Sequence, residues 1–129
     1  MSLIVRLPWP AKELMPNRRN GTHWTKTRAI KDAQHLAAKV CTQSALQLTG
    51  PQEWQERIPL SLLYVMPDKR HRDADNLLAA SKALLDGMAE ALGVDDKRFG
   101  PLLVDKVAGD GEGCLIAAVG VRIESGVSL

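Results

Sequence analysis

The sequence predicts a single small domain that mixes helices and strands, an α/β (α+β) fold over residues 1–129. A length of 129 residues allows one modest core. Apolar runs of strand length alternate with two long stretches of helical periodicity. Their order, strand, helix, strand, helix, strand, strand, favours a mixed sheet of about four strands with two main helices.

The first half of the chain predicts one strand and one long helix. A strand over residues 3–10 ends at Pro8 and Pro10, because proline cannot donate to a sheet ladder. Thr25 or Thr27 can cap a helix that runs to about residue 48, before Gly50 and Pro51. Helical spacing puts two sets on opposite sides of this helix, an apolar set of Ile30, Ala33, Ala37, Val40 and Ser44 and a basic set of Arg28, Lys31, His35 and Lys39.

The second half predicts a strand, a helix and two further strands. Pro59 near the start of the strand over residues 57–66 indicates an edge position or a late start of the ladder. The helix runs from about residue 74 to residue 92 and is stopped by Gly93. Strands over residues 102–108 and 114–123 flank the glycine-rich segment 109–113, and this arrangement predicts a β-hairpin.

Composition argues against several classes of protein. No apolar run approaches the roughly 18 residues of a membrane span, and the N-terminal segment lacks the basic and apolar regions of a signal peptide. Cys41 and Cys114 stand apart without metal-binding spacing, so we expect buried free thiols. These features predict a cytoplasmic protein that does not bind membranes.

Charge is unevenly distributed along the chain. Residues 1–72 contain 12 Lys and Arg against 5 Asp and Glu, whereas residues 73–129 contain 5 against 10. A basic half followed by an acidic half is a weak indication of a polyanionic partner. Mixed solvated faces are the plain alternative.

The sequence DADN, residues 73–76, lies where the basic half ends and the second predicted helix begins. Asp73 alone would be explained as the N-cap of that helix, but one cap needs one carboxylate. Asp73 and Asp75 alternate along the approaching segment and therefore point the same way. Two like charges roughly 4 Å apart repel by several kcal/mol at an effective dielectric constant of about 20. Candidates that offset this repulsion are a divalent cation and three side chains, Arg70, Arg72 and Lys82.

Carboxylates in this pattern predict metal-dependent phosphodiester hydrolysis. Mg²⁺ takes one or two carboxylates together with waters and substrate phosphate oxygens, and a metal held this way activates water and stabilises the departing oxygen. On a helical wheel, Asp75, Lys82 and Asp86 form a stripe separate from the apolar face. Lys82 and Asp86 are equally explained as an ordinary surface ion pair. Asp95 and Asp96 after the helix supply a third acid.

Three segments carry a resemblance to a known family: LPWP near the N-terminus, THW at residues 22–24 and, above all, MPDKRHRDADNLL…LLDGMAEALGVDD. Over residues 7–121 the chain resembles the RusA family of Holliday junction resolvases, crossover junction endodeoxyribonucleases often encoded by phages and prophages. The resemblance implies a small α/β homodimer that needs Mg²⁺ or Mn²⁺. It also implies binding of branched DNA and resolution of four-way junctions by paired symmetric nicks, in DNA recombination and repair.

The resemblance also implies roles for individual residues. Asp73 and Asp75 match the two metal-binding acids of the motif, Asp96 matches the third acid, and Arg72 matches the basic residue before the motif. Asp86 matches a recurrent helix acid, and it and Asn76 are candidate supporting residues. The expected DNA-binding residues are the basic side chains around the motif and the first loop, Arg18, Arg19, Lys26, Arg28, Lys69 and Arg70.

Two departures from the family pattern concern this site. Ala79 stands where the best-known members carry a lysine, and Lys82 lies one turn further along at nearly the same helical angle, so we expect Lys82 to substitute as a catalytic residue. The spacing between the helix and the Asp-Asp pair is also longer. It therefore leaves open whether Asp95 or Asp96 is the third metal ligand.

Two other functions remain as alternatives. One is a catalytically inactive junction- or DNA-binding module, in which Ala79 would be the sign of lost catalysis, although an intact set of acids argues against it. The other is a phosphohydrolase of small nucleotides. Basic residues spread over residues 12–39 and 69–72 favour a long polyanion instead, because a small substrate needs only a compact pocket.

Overall fold

The structure, a computed structural model, describes residues 2–16, 24–109 and 111–120. Its strands are β1 (Leu3–Pro8), β2 (Ile58–Val65), β3 (Phe99–Val107) and β4 (Cys114–Val119). Its α-helices are α1 (Trp24–Thr49), α2 (Ala74–Ala80) and α3 (Lys82–Leu92), with short 3-10 turns at Lys12–Leu14 and Asp96–Arg98. The predicted fold class, a small α+β domain with a mixed four-stranded sheet, is confirmed. None of the described helices has the length and apolar character needed to cross a bilayer.

The sheet has the strand order β1-β4-β2-β3. β4 runs antiparallel to both β1 and β2, and β3 runs parallel to β2. Alternate residues of each strand point to one face, which the helices cover. The core on this face joins strand side chains to residues of all three helices, and its fully buried members include Val5, Leu7, Leu62, Tyr64, Leu115, Ala38, Leu77, Leu84 and Met88. Both cysteines are free thiols, as predicted, with Cys114 buried and Cys41 only half-buried.

The predicted hairpin between the last two strands is wrong, because β2 lies between β3 and β4. At the carboxyl end of β2, Val65 pairs with Val107 on one side and with Cys114 on the other. The glycine-rich connection must therefore pass this end of β2 closely. A Cβ on Gly109 would lie 2.3 Å from the carbonyl oxygen of Met66, so glycine is required there by close approach and not by a turn.

Pro59 lies in a central strand, so the edge interpretation is wrong and the late start of the ladder is confirmed. Pairing of β2 with β4 begins at Leu60, opposite Val119. On the other side, the register of β2 against β3 shifts between Ile58 and Leu60. A bulge of this kind lets a proline, which has no N–H to donate, enter an interior strand.

The predicted apolar face of α1 is also wrong. Val40 is 51% exposed, and Ala33 and Ser44 are exposed as well, whereas Ala38 and Thr42 are completely buried. The helix is turned by its close contact with α3, where a Cβ on Gly87 would lie 2.1 Å from the carbonyl oxygen of His35. Small side chains allow that approach, and the larger apolar residues of α1 are left on the outside.

The predicted helix over residues 74–92 is divided at Ser81 into α2 and α3. The Ser81 hydroxyl donates to the carbonyl oxygen of Leu77 over 2.7 Å and lies 2.8 Å from the hydroxyl of Tyr64. A serine that bonds the preceding turn in this way bends a helix. Both hydroxyls are buried, and burial raises the pKa of Tyr64 to about 12.

Candidate functional site

Asp73 and Asp75 lie at the N-terminal end of α2 with both side chains exposed. Asp73 has an extended backbone (φ −74°, ψ 135°), and its side chain makes no capping hydrogen bond to the helix. Its Oδ1 atom instead lies 3.0 Å from Nε2 of His71. Capping therefore does not account for Asp73, and the carboxylate is available to a ligand from solvent.

The arginines before the motif pair with Asp68, which the sequence interpretation did not single out. Arg72 donates two hydrogen bonds to the Asp68 carboxylate, over 2.7 and 3.1 Å, and lies 5.5 Å from the ring centroid of Trp9. The backbone N–H of Arg70 donates to Asp68 over 2.9 Å. Hydrogen bonds from Arg72, and next from Arg70, lower the pKa of Asp68 to about 2. Arg70 and Arg72, two of the candidates for offsetting the carboxylates of the motif, are therefore engaged with Asp68, Arg72 through a bidentate contact.

A depression of about 520 Å³ lies in front of Asp73. Lys106 supports its wall by donating to the carbonyl oxygen of Arg72 over 2.7 Å, which ties the approach to α2 to strand β3. Cationic side chains outnumber the single carboxylate among its lining residues, which are Trp9, Lys12, Met15, Pro67, Arg70, His71, Arg72, Asp73 and Asn76. A depression with this balance of charge attracts anions to the neighbourhood of Asp73.

Lys82, Asp86 and Asp96 form a second group of charged residues. The Nζ atom of Lys82 lies 3.6 Å from Oδ2 of Asp96 and 3.9 Å from Oδ1 of Asp86. Burial raises the pKa of Asp86, and a hydrogen bond to Asp96 raises it further. The same hydrogen bond is the main cause of the lowered pKa of Asp96. The two carboxyl groups thus titrate as a pair, with the pKa of Asp86 raised and that of Asp96 lowered.

Asp95 and Asp96 differ in what they contact. The Asp95 carboxylate accepts a hydrogen bond from the backbone N–H of Lys97 over 2.9 Å and caps the turn Asp96–Arg98. Asp96 makes the contact with Lys82. Of the two, Asp96 is therefore the candidate third acid, and its contact joins two residues to which the family resemblance gave catalytic roles.

The structure does not bring the two groups of acids into one site. Asp75 and Asp86 are about three helical turns apart, roughly 16 Å along a continuous helix, and Asp96 lies beside Asp86. Within the described ranges, no three His, Cys, Asp or Glu side chains form a group that could hold a metal ion. Asp73 and Asp75 alone supply two carboxylates, which fits the way Mg²⁺ binds when substrate phosphates provide further oxygens.

The residues predicted to bind DNA lie mainly on exposed surface. Lys26 and Arg28 are exposed near the start of α1, and Lys69 and Arg70 are exposed before α2. The predicted residues Arg18 and Arg19 lie outside the described residues.

The basic stripe of α1 is only partly solvated. His35 and Lys39 both contact Glu90 of α3, and the Lys39–Glu90 distance is 3.1 Å. Hydrogen bonds from His35 and then Lys39 lower the pKa of Glu90. Lys31 and His35 also line a groove of about 260 Å³ between α1 and α3, together with Asp32, Ala79, Lys82 and Asp86. The position of the missing lysine thus opens onto a groove in which the charges of the two lysines are matched by those of the two aspartates.

Comparison with known proteins identifies a relative of this chain but no activity. No known protein-family model matches the chain. An uncharacterized protein from Xylella fastidiosa (strain Temecula1 / ATCC 700964) is 39% identical over 112 residues, which cover 84% of this chain and 71% of the relative. The chain belongs to the family of this Xylella protein. Because the relative is described only as uncharacterized, membership of the family assigns no activity.

The sequence interpretation missed two features near the site, Asp68 and the packing of Trp9. Asp68 follows Pro67 at the turn before the basic run, and an aspartate there often accepts a hydrogen bond from a backbone N–H two residues later. That signal was present, and Asp68 does accept such a bond from Arg70. Trp9 follows β1, more than 60 residues earlier, so no local pattern pointed to its contact with Arg72.

Proposed function

We propose that the protein is a metal-dependent endodeoxyribonuclease that resolves four-way DNA junctions, as the resemblance to the RusA family implies. The observation that carries the proposal is the state of Asp73 and Asp75. Both are exposed at a helix N-terminus, Asp73 does not cap the helix, and the nearby arginines are engaged with Asp68. Carboxylates placed beside an anion-attracting depression in this way suit a cation bound together with phosphate.

In this proposal Asp73 and Asp75 hold Mg²⁺ or Mn²⁺, which would lower the pKa of a water molecule and stabilise the departing oxygen of the phosphodiester. His71 orients Asp73 through its 3.0 Å contact. Arg72 is fixed by Asp68 and Trp9, so it holds the wall of the depression in shape. The exposed side chains of Lys69 and Arg70 neutralise phosphates next to the cleaved bond.

Lys82 has a separate place in the proposal. Its contact with Asp96 keeps the ammonium group at the border of the groove between α1 and α3. Asp32 and Asp86 line the same groove beside Lys31 and His35, so its charges are close to balanced. The expectation that Lys82 substitutes for the lysine missing at Ala79 stays a prediction.

The spacing of the two basic regions favours nucleic acid over a small nucleotide. One region lies before α2, at the exposed residues Lys69 and Arg70, and the other lies near the start of α1, at the exposed residues Lys26 and Arg28. A single small phosphate ester cannot contact both, whereas a DNA backbone carries a charge every few ångströms and can. A four-way junction is also roughly twofold symmetric, so paired nicks on opposed strands are most simply made by a homodimer with two equivalent sites.

A cleavage assay on a synthetic four-way junction tests the proposal. Each strand is end-labelled in turn and incubated with the protein in Mg²⁺, Mn²⁺ or EDTA, with duplex and single-stranded DNA of the same sequence alongside. We expect paired symmetric nicks in either metal, none in EDTA, and little cleavage of the duplex. Binding without nicks in both metals would instead support the inactive binding module.

The variant Asp75→Asn separates catalysis from binding. We expect it to abolish cleavage while junction affinity stays equal or increases, because one negative charge facing phosphate is removed. Glu53→Gln removes an exposed carboxylate from the segment between α1 and β2 and is the matched control, which should cleave normally. If Asp75→Asn lost binding together with cleavage, the metal-site assignment would be refuted.

A further inference from the structure

Lys106, near the carboxyl end of β3, lies on the face of the sheet that the helices cover. It pairs with Tyr64, whose side chain is completely buried, and Val104, two residues earlier on the same face, packs against the core. A lysine at such a position is uncommon, because its ammonium group must find an acceptor or return to water. Lys106 is only half-buried, which leaves its charged end at the border of the core.

The ammonium group of Lys106 contacts a main-chain acceptor. Its Nζ atom donates to the carbonyl oxygen of Arg72 over 2.7 Å. Among residues 2–16, 24–109 and 111–120, no carboxylate forms an ion pair with it. The hydrogen bond to Arg72 therefore accounts for the direction of this side chain, and it joins β3 to the residue directly before Asp73.

A second hydrogen bond ties the other end of the same segment to β3. The backbone N–H of Met66, where the chain leaves β2, donates to the carbonyl oxygen of Val107 over 2.9 Å. Two adjacent residues of β3 thus hold both ends of the segment 66–72. Inside this segment, Arg72 donates to the carboxylate of Asp68. The approach to α2 is therefore closed on itself and anchored to the sheet.

A fixed carbonyl group at Arg72 also fixes the backbone from which the Asp73 side chain departs. The carbonyl group of one residue and the N–H of the next lie in one rigid plane. Because the Asp73 side chain does not cap the helix, its backbone is held by this plane on one side and by the hydrogen bond from the Leu77 N–H on the other. Mg²⁺ demands near-ideal ligand geometry, and the residues of a site must be held to within about 0.5 Å.

We propose that Lys106 is a positioning residue of the cation site at Asp73 and Asp75. Through the carbonyl group of Arg72 it holds the start of α2, and with it both carboxylates, in the arrangement that a divalent cation requires. The inference rests on the proposed function, because that proposal supplies the cation site. Its sign is opposite to that of simple electrostatics, since removal of a positive charge near a cation site would by itself raise the affinity for the cation.

Mn²⁺ binding to the full-length protein tests this role without any cleavage. Free Mn²⁺ gives an electron paramagnetic resonance signal that is lost on binding, so a titration yields the dissociation constant. Lys106→Met removes the ammonium group and keeps an apolar stem. We expect it to weaken Mn²⁺ binding about tenfold, the lower end of the effect of residues that orient metal ligands. Lys106→Arg keeps a donor for the carbonyl group and should bind Mn²⁺ within about threefold of the parent.

Lys39→Met is the matched control, because it removes the contact of another lysine, with Glu90, between α1 and α3. It should leave the affinity for Mn²⁺ unchanged. Circular dichroism and urea unfolding check that each variant is folded. An affinity that is unchanged or increased in Lys106→Met would overturn the proposal. A loss in Lys39→Met or in Lys106→Arg as large as that in Lys106→Met would also overturn it, since the hydrogen bond to the carbonyl group would then not be the cause.

Junction cleavage distinguishes a failure of this role from a failure of the proposed function. Lys106→Met should raise the Mn²⁺ concentration for half-maximal cleavage about tenfold, while junction affinity in EDTA stays within about threefold of the parent. A parent that cleaves no junction would refute the proposed function, yet a tenfold loss of Mn²⁺ affinity in Lys106→Met would still support the role of Lys106. A parent that cleaves, with a Mn²⁺ affinity that the variant leaves unaltered, would refute only that role. A parent that binds no Mn²⁺ would refute both.

Discussion

Two pairs of acids, Asp73 with Asp75 and Asp86 with Asp96, differ in the partners that their carboxylates already have. At the start of α2, Asp68 accepts the arginines, and Asp73 and Asp75 are left exposed. On α3, Asp86 is hydrogen-bonded to Asp96, and Lys82 lies beside both. Asp73 and Asp75 therefore keep negative charge that a bound cation can use. The charges of Lys82, Asp86 and Asp96, in contrast, balance one another within their own group. The spacing of carboxylates along a sequence therefore predicts ligand binding less well than the contacts that each carboxylate already makes.

The largest expected effect is on the rate of junction cleavage, which should depend strongly on Asp73 and only weakly on Asp86. Asp73→Asn should lower the rate of junction cleavage by at least about a hundredfold, since even a partner of a metal ligand is commonly worth 10- to 100-fold. Asp86→Asn should change the rate less than about threefold, because Asp86 contacts Lys82 and Asp96 and does not belong to the Asp73–Asp75 group. Single-turnover cleavage with both variants measures the difference. Equal losses would show that the second group is also part of the reactive site.

A smaller effect concerns the contact that holds α3 against α1. Gly87→Ala should destabilise the fold by about 3 kcal/mol, because the new Cβ would lie 2.1 Å from the carbonyl oxygen of His35. Helix propensity alone predicts the opposite sign, a gain of about 1 kcal/mol. The control is Gly93→Ala, at a left-handed position (φ +74°) with open space around it, which should cost about 1 kcal/mol. Urea unfolding measures both, and a stabilised Gly87→Ala would contradict the close helix contact.

The smallest effect is the pH dependence of stability, whose sign should differ between Asp68 and Asp86. The pKa of Asp68 is lowered to about 2 from 3.8, so its contribution is complete above about pH 4 and is lost as the pH falls toward 2. The pKa of Asp86 is raised above 3.8, so its contribution is present below that value and is lost as the pH rises.

Urea unfolding between pH 2 and 7 measures these contributions in two variants. The stability difference between Asp68→Asn and the parent should disappear toward pH 2. For Asp86→Asn the variant should gain on the parent as the pH rises above about 4, because the amide has no proton to lose. Parallel curves for the parent and both variants would mean that neither contact forms in solution.

The sequence predicted local features of this molecule well and contacts between distant segments poorly. Prolines and glycines marked the ends of β1, α1 and α3 because they act on their own backbone. The break at Ser81 escaped prediction because it is reinforced by Tyr64, which lies on β2. The hairpin was predicted wrongly for a similar reason, since Gly109 is fixed by Met66 on β2 and not by its neighbours.

In the candidate site, too, spacing along one segment was predictable and contacts between distant segments were not. Asp73, Asp75 and Lys82 were found by spacing along one segment, and the structure leaves the first two exposed as expected. The choice of Asp96 over Asp95 required the turn at Asp96–Arg98, which orients only one of them toward Lys82. The pairing of Arg72 with Asp68 and Trp9 depends on two separate stretches of irregular backbone, for which periodicity gives no guide.

The position of β4 in the sheet has a consequence for how the protein is made. β4 is the last strand along the described chain, yet it supplies the hydrogen-bonding partner for all of β1 and for one side of β2. Leu3 is paired with Val119, so the sheet cannot close until the ribosome has synthesised β4. During synthesis the exposed edges of β1 and β2 are templates for pairing with other chains. We therefore expect folding to be slow relative to helical proteins of this size and to benefit from a chaperone that shields those edges.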